Sequence, residues 1–236
     1  MLILALDTTT RAGSVALLRS DAILRNDAVL HERSGDATLT HGQRLPGDLI
    51  GACAEAGVRI EDVELFAVAA GPGSFTGLRI GIATMQGLAM ARGGRIVPVS
   101  TLEAIAVAAP SGVTRVAAWM DAQRGEIFAQ IFERDGAAAR PVTEPVAANP
   151  RVVLQQHGAL LRGVTFEGDG ALRYKAEIQG ALGGQARIAD TLPHLAVAIA
   201  RIAAHAPERA VLPHAVVPIY VRKSDAELAR DRRAGA

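Results

Sequence analysis

Cysteine, lysine and aromatic residues are scarce in this 236-residue chain, and each scarcity closes a class of function. A single cysteine, Cys53, can make neither an intramolecular disulfide nor a cysteine zinc cluster, which points to a reducing compartment, the cytosol by default. Aromatics are 3% of the residues, too few to stack a run of bases. Lysine stands only at Lys175 and Lys223, so the first half has none to hold a terminal phosphate. Twenty-five basic against 24 acidic residues leave a net charge of +1, so RNA contact must be local or belong to a partner. No apolar run approaches the roughly 20 residues of a membrane-spanning helix, because Arg79, Thr84 and Gln86 interrupt the segment from Leu78 to Ala91. No secretory signal is expected either, since Met1 leads straight into Leu2 without a basic stretch or cleavage site. His31, His41, His157, His194, His205 and His214 include no short-spaced pair for a metal, and Ser74 lies outside any Gly-x-Ser-x-Gly elbow.

What is present is a chain half apolar, with core enough for one large domain or two small ones. Three strand-like runs open it: Leu2 to Leu6, Ser14 to Arg19 and Ala22 to Leu30. A helix is expected from Gln43 to Ala56, a strand from Leu65 to Ala70, then the block Gly71-Pro72-Gly73-Ser74-Phe75-Thr76-Gly77 and a small-residue helix to about Ala91, stopped by Gly93-Gly94. Ile96 to Val99 and Thr101 to Ala109 add a strand and a helix before a boundary at Pro110. The pattern then returns: strand Arg115 to Met120, a turn through Arg124-Gly125, strand Glu126 to Glu133, a Gly/Ala/Pro-rich stretch hiding a third strand, a helix near Val152 to Leu161, strand Val164 to Glu167, and a helix from Ala171. Asp7 answers Asp121, and Gly71-Pro72-Gly73 answers Gly168-Asp169-Gly170. Two βββαβα halves are the plan of the actin-like superfamily of sugar kinases and heat-shock ATPases, which is ribonuclease H-like, so an α/β protein of two lobes is expected. The first lobe would span residues 1–109, the second 110–222 with the last helix near 191–204 packing back on the first, and 223–236 would be a basic tail.

In that fold a nucleotide lies between the lobes. Asp7 would then hold hydrated magnesium, Thr8 and its neighbours phosphate, Gly71, Gly73 and Ser74 an anion at a helix start, and Asp121 the opposite wall. The same residues also suit plain turns and tight helix packing. The block is not a Walker loop, and any ATP or ADP with magnesium would bind weakly there.

The helices carry a second signal. Leu78, Ile82, Met85 and Ala89 form one apolar face, while Ile80, Ala83, Gly87, Met90 and Ala91 form another nearly opposite. The helix before it repeats the pattern, with Leu45, Leu49, Ala52 and Ala56 against Gly47, Ile50 and Ala54. The sheet can cover one face of each, so the second faces meet each other or a further helical partner.

The opening Leu2-Ile3-Leu4-Ala5-Leu6-Asp7-Thr8, the block from Gly71 through Gly77-Leu78-Arg79-Ile80-Gly81, the turn Asp121-Ala122-Gln123-Arg124-Gly125-Glu126 and Pro218-Ile219-Tyr220-Val221-Arg222 together resemble the TsaB family of bacterial tRNA threonylcarbamoyladenosine biosynthesis proteins. His41-Gly42-Gln43-Arg44-Leu45-Pro46 is similar to that family's His-Ser-Glu-x-Leu-x-Pro, departing at Gly42 and Gln43. The resemblance implies a non-catalytic, cytoplasmic platform needing no cofactor. Its partners would be a TsaD-type transferase, a TsaE-type P-loop ATPase and, alone, a second copy, with tRNA reached only through the complex and no membrane contact. Gly47, Ile50, Ala54, Ile80, Ala83 and Gly87 would be the docking residues. Two readings of other classes stay open: a small-molecule kinase or ATPase using Asp7 and Asp121, and a metal-dependent peptidase.

Overall fold

The computed structural model describes residues 1–21 and 26–222. The fully buried opening run is β1 (Leu2–Asp7), which pairs antiparallel with β2 (Ser14–Asp21). β3 (Asn26–Ser34) completes the meander. Thr40 starts α1 (His41–Glu55): its backbone N–H and hydroxyl both donate to Gln43 Oε1, at 3.0 and 2.8 Å. β4 (Leu65–Gly71) lies parallel to β1, α2 (Phe75–Arg92) returns over the sheet, and β5 (Ile96–Ser100) lies parallel to β4. Gly93, left-handed at φ 62°, ends α2 as expected of a glycine stop. α3 (Thr101–Ala108) crosses to the second half.

There β6 (Arg115–Asp121) and β7 (Ile127–Asp135) form the second antiparallel pair, flanked by the short β8 (Ala138–Pro141) and β9 (Val146–Ala148). α4 (Pro150–His157), β10 (Thr165–Glu167), α5 (Asp169–Arg173), α6 (Lys175–Leu182), β11 (Arg187–Ile188) and α7 (Leu195–His205) follow. The sheets run β3-β2-β1-β4-β5 and β8-β7-β6-β10-β11, with β9 beside β7. β6 thus takes the place of β1 and β10 that of β4, so the repeat read from the sequence is a repeat of topology, and the fold is actin-like α/β.

Apolar side chains collect in three layers. The outer layers are α1 and α2 on the first sheet, through Leu45, Leu49, Ile82 and Met85, and α4 to α6 on the second, through Val153, Leu154 and Ile178. The central layer is shared: Ile3, Ala5 and Val97 of one sheet and Val116, Ala118 and Phe132 of the other enclose α3 and α7.

Three expectations need correction. The third strand runs to Ser34, not Leu30, because it is a sheet edge whose polar residues His31 to Arg33 hide it from an apolar pattern, while Ala22 to Arg25 lie outside the described residues. The Gly/Ala/Pro-rich stretch holds two short strands where one was expected. α7 packs back on the first sheet as expected, but the segment after it, given to the second lobe, also returns to the first: Val211 bridges Ile96, and Ile219 N–H donates to Ala70 O at 2.7 Å. The basic tail from Lys223, with Arg230, Arg232 and Arg233, falls outside the described residues.

Candidate functional site

Between the lobes lies a cleft of about 710 Å³, walled by Thr9, Thr10, Arg11, Gly73 and Ser74 on one side and by Asp121, Gln123 and Asp169 on the other. A second cavity of about 440 Å³ adjoins it behind Thr10 and Arg11, where Asp7, Gly13 and the start of α7 meet Asp169.

The structure brings Asp7, Thr8, Gly73 and Ser74 together, and their polar groups are engaged with one another. Asp7 Oδ1 accepts from Thr9 N–H at 2.8 Å and Thr9 Oγ1 at 2.5 Å. Thr8 Oγ1 donates to Gly77 O at 2.8 Å, Ser74 N–H donates to Thr9 O at 3.0 Å, and Ser74 Oγ caps α2 by accepting from Gly77 N–H at 3.2 Å. A Cβ at Gly77 or Gly81 would lie 2.0 or 2.1 Å from an oxygen of Thr8, and one at Gly73 2.6 Å from Thr9 Cβ, so these glycines let α2 press onto the β1–β2 turn. Gly71, at φ 118°, leaves room for the carbonyl of Ile219.

Asp121 stands on the opposite wall. Its carboxylate accepts from Gln123 N–H at 3.1 Å, Gln123 Nε2 at 2.7 Å and Arg173 Nη1 at 2.7 Å, and its own N–H donates to Asp169 Oδ1 at 2.9 Å. Burial pushes the Asp7 carboxyl above its usual range, the Thr9 bonds oppose this, and the Asp169 charge reinforces it. Asp169 is raised for the same leading reason.

Several groups that a magnesium nucleotide would use are engaged within the chain. Asp7 Oδ1 is held by Thr9, the Gly77 amide of α2 is used by Ser74, and the arginines lining the cleft are Arg11 and Arg222, the latter paired with Glu126 at 2.7 Å. Among the described residues no group of His, Cys, Asp and Glu side chains could hold a metal ion, and no helix is long and apolar enough to cross a membrane.

The outer face of α1 and α2 has the opposite character. Gly47, Ile50, Ala54, Ala83, Gly87 and Met90 are exposed, Ile50 to 72%, while Ile80 is half-buried against the core. A Cβ at Gly47 or Gly87 would meet nothing within 4 Å, so nothing inside the chain requires glycine there. Both cost stability in a helix interior, about 1 kcal/mol each relative to alanine.

The family model described as TsaD, tRNA N6-adenosine threonylcarbamoyltransferase, matches residues 35–208. The Escherichia coli tRNA threonylcarbamoyladenosine biosynthesis protein TsaB is 38% identical over 137 residues, 57% of this chain and little more than half (56%) of that protein's length. The Bacillus subtilis protein of the same name is 26% identical over 96% of both chains. A solved Pseudomonas aeruginosa structure, described as similar to peptidase YeaZ, is 31% identical with a TM-score of 0.77, covering 94% of this chain and 99% of that one.

The chain belongs to the TsaB family.

Within this TsaB-family chain, sequence reasoning passed over three features. Arg44 and Asp48 are a buried ion pair, Arg44 also donating to Ala12 O and, at 2.8 Å, to His41 Nδ1, while His41 Nε2 lies 3.1 Å from Thr10 O. Burial, aided by the Arg44 charge, holds the His41 pKa below its usual value, as its role of acceptor from a guanidinium requires. Spacing carried a signal, since Arg44 and Asp48 adjoin Leu45 and Leu49 on the inward side of the helix. Asp169 was visible as part of a glycine loop, but its approach to Asp121 depends on two separate strands. Glu167, buried with Oε1 unpartnered among the described residues, gave no signal.

Proposed function

We propose that this chain is a non-catalytic platform subunit of the machinery that forms threonylcarbamoyladenosine in tRNA, and that it binds and activates a TsaD-type transferase through the outer face of α1 and α2. The observation that carries the reading is that face: small and apolar, with Gly47 and Gly87 open to close approach by another helix. Family membership supports the pathway, and the engaged donors of the cleft support a role without a cofactor of its own. A TsaE-type P-loop ATPase joins through the complex, and tRNA is reached there. Without the transferase the same face pairs weakly with a second copy.

The test uses the full chain and the TsaD-type subunit of the same organism. Ala54→Glu and Ala83→Glu should each keep the monomer's circular dichroism but lose the complex on size exclusion with light scattering. Burying an unpaired carboxylate costs about 3–5 kcal/mol. Transfer activity of the mixture should fall with complex formation. Folded variants that pair normally would overturn the docking face. Metal-dependent ATP turnover by the pure chain, lost in Asp7→Ala, would move the function to a kinase or ATPase.

A further inference from the structure

Along the exposed side of α2, Phe75, Arg79, Ala83 and Gly87 follow one another at four-residue spacing and form a single ridge. At its start the Arg79 guanidinium lies 3.9 Å from the Phe75 ring centroid. Phe75 stacks in turn on Tyr220, with centroids 5.5 Å apart and planes at 28°. Tyr220 is held there because the preceding segment is fastened to the first lobe: Gln86 Nε2 donates to Pro213 O at 2.8 Å and Val216 O at 3.1 Å, and Ile219 N–H to Ala70 O at 2.7 Å. All three side chains are exposed, with Phe75 at 40% and Tyr220 at 45%. Arg79 has no hydrogen-bond or ion-pair partner among the described residues. A guanidinium held over a ring keeps N–H donors for a carboxylate and loses little side-chain freedom on binding one.

A second copy cannot readily supply that carboxylate from the same face. From Phe75 to Arg92, α2 carries no acidic residue. The two acids of α1 are taken, Asp48 by Arg44 and Glu55 by His31 and Arg33 at 3.4 and 3.5 Å. We infer that Arg79, preorganised on Phe75, which Tyr220 supports, is a specificity-determining residue of the docking face and selects a carboxylate-bearing chain of different sequence over a second copy of this one. The inference rests on the docking role of α1 and α2 proposed above. It adds that the small-residue stripe gives close approach to either partner, while the cation rewards the heteromeric pairing alone.

The test measures affinity of the full chain for the TsaD-type subunit by titration calorimetry, and self-association by sedimentation equilibrium. Arg79→Gln should weaken the heteromeric complex about tenfold or more, and Arg79→Glu further, while self-association stays the same or tightens. Arg79→Lys, which keeps the charge but not the planar guanidinium, should fall between wild type and Arg79→Gln. Circular dichroism of these surface variants should match wild type. Ala83→Glu separates the two readings: if it still forms the complex, the docking face itself is wrong. If Ala83→Glu abolishes the complex but Arg79→Glu binds as wild type, or if Arg79→Gln weakens both pairings equally, the role of Arg79 is overturned.

Discussion

Glu167 ends β10 with 2% of its surface exposed, in the layer between the sheets. Burial pushes its pKa from 4.5 to about 7, and the positive charge of Arg134 offsets only part of that. An acid whose folded pKa exceeds its unfolded value stabilises the fold in its protonated form. That stability is fully present below about pH 4.5 and is lost as pH rises through about 7. Glu167→Gln retains the neutral form at every pH. In urea unfolding it should match wild type near pH 4 and exceed it by up to about 3 kcal/mol near pH 9. An equal difference at both pH values would show that Glu167 is ionised or solvated in the fold. Asp7 and Asp169 shift in the same direction, so the comparison must be variant against parent at each pH.

The helices have an inner side that the fold requires and an outer face on which the proposed docking would occur. On the inner side of α2, Gly77 and Gly81 are packing requirements, because Thr8 occupies the space a methyl group would need. On its outer side Gly87 faces open space. Gly81→Ala should therefore destabilise the chain by about 1–3 kcal/mol, and Gly87→Ala should stabilise the isolated chain by up to about 1 kcal/mol. Gly87→Ala should also weaken binding of the TsaD-type subunit, by holding the helices apart. Thermal unfolding and a binding titration on the same two proteins separate these effects. A Gly87→Ala variant neutral in binding would show that no helix approaches there. α1 links the same two roles: its outer face bears Gly47, Ile50 and Ala54, while inward Arg44 and His41 hold the Ala12 and Thr10 carbonyls of the turn that walls the cleft.

At the scale of the molecule, the two sheets are separate in sequence but their cores are not. α7 comes from the end of the described chain and lies in one apolar layer with β1, β2, β4 and α3, and the segment that follows it is fastened to α2 and β4. A fragment ending near Pro110 would expose Ile3, Ala5, Ala16 and Val97 to water. It should lack a cooperative thermal transition and bind a hydrophobic dye, whereas the full chain melts in one step. A fragment that melts cooperatively without dye binding would show the first lobe to be self-sufficient.

Much of this protein was legible in one dimension. Apolar runs bounded by turn residues located β1, β4, β6 and α2, the recurring Asp-turn-Gly landmarks exposed the duplicated topology, and the two-faced small-residue helices marked the outer surface, because these are local periodicities of the chain. Sequence motifs also placed it in its family. What only the tertiary structure decided depends on residues far apart in the chain. That α3 and α7 share a core with both sheets, that Thr8 fills the space beside Gly77 and Gly81, that Arg44 is buried on Asp48 and that Tyr220 stacks on the ring Arg79 covers all follow from which surfaces meet. Burial and partner choice are properties of packed pairs, and a single strand of sequence specifies each member of a pair without stating which other it will touch.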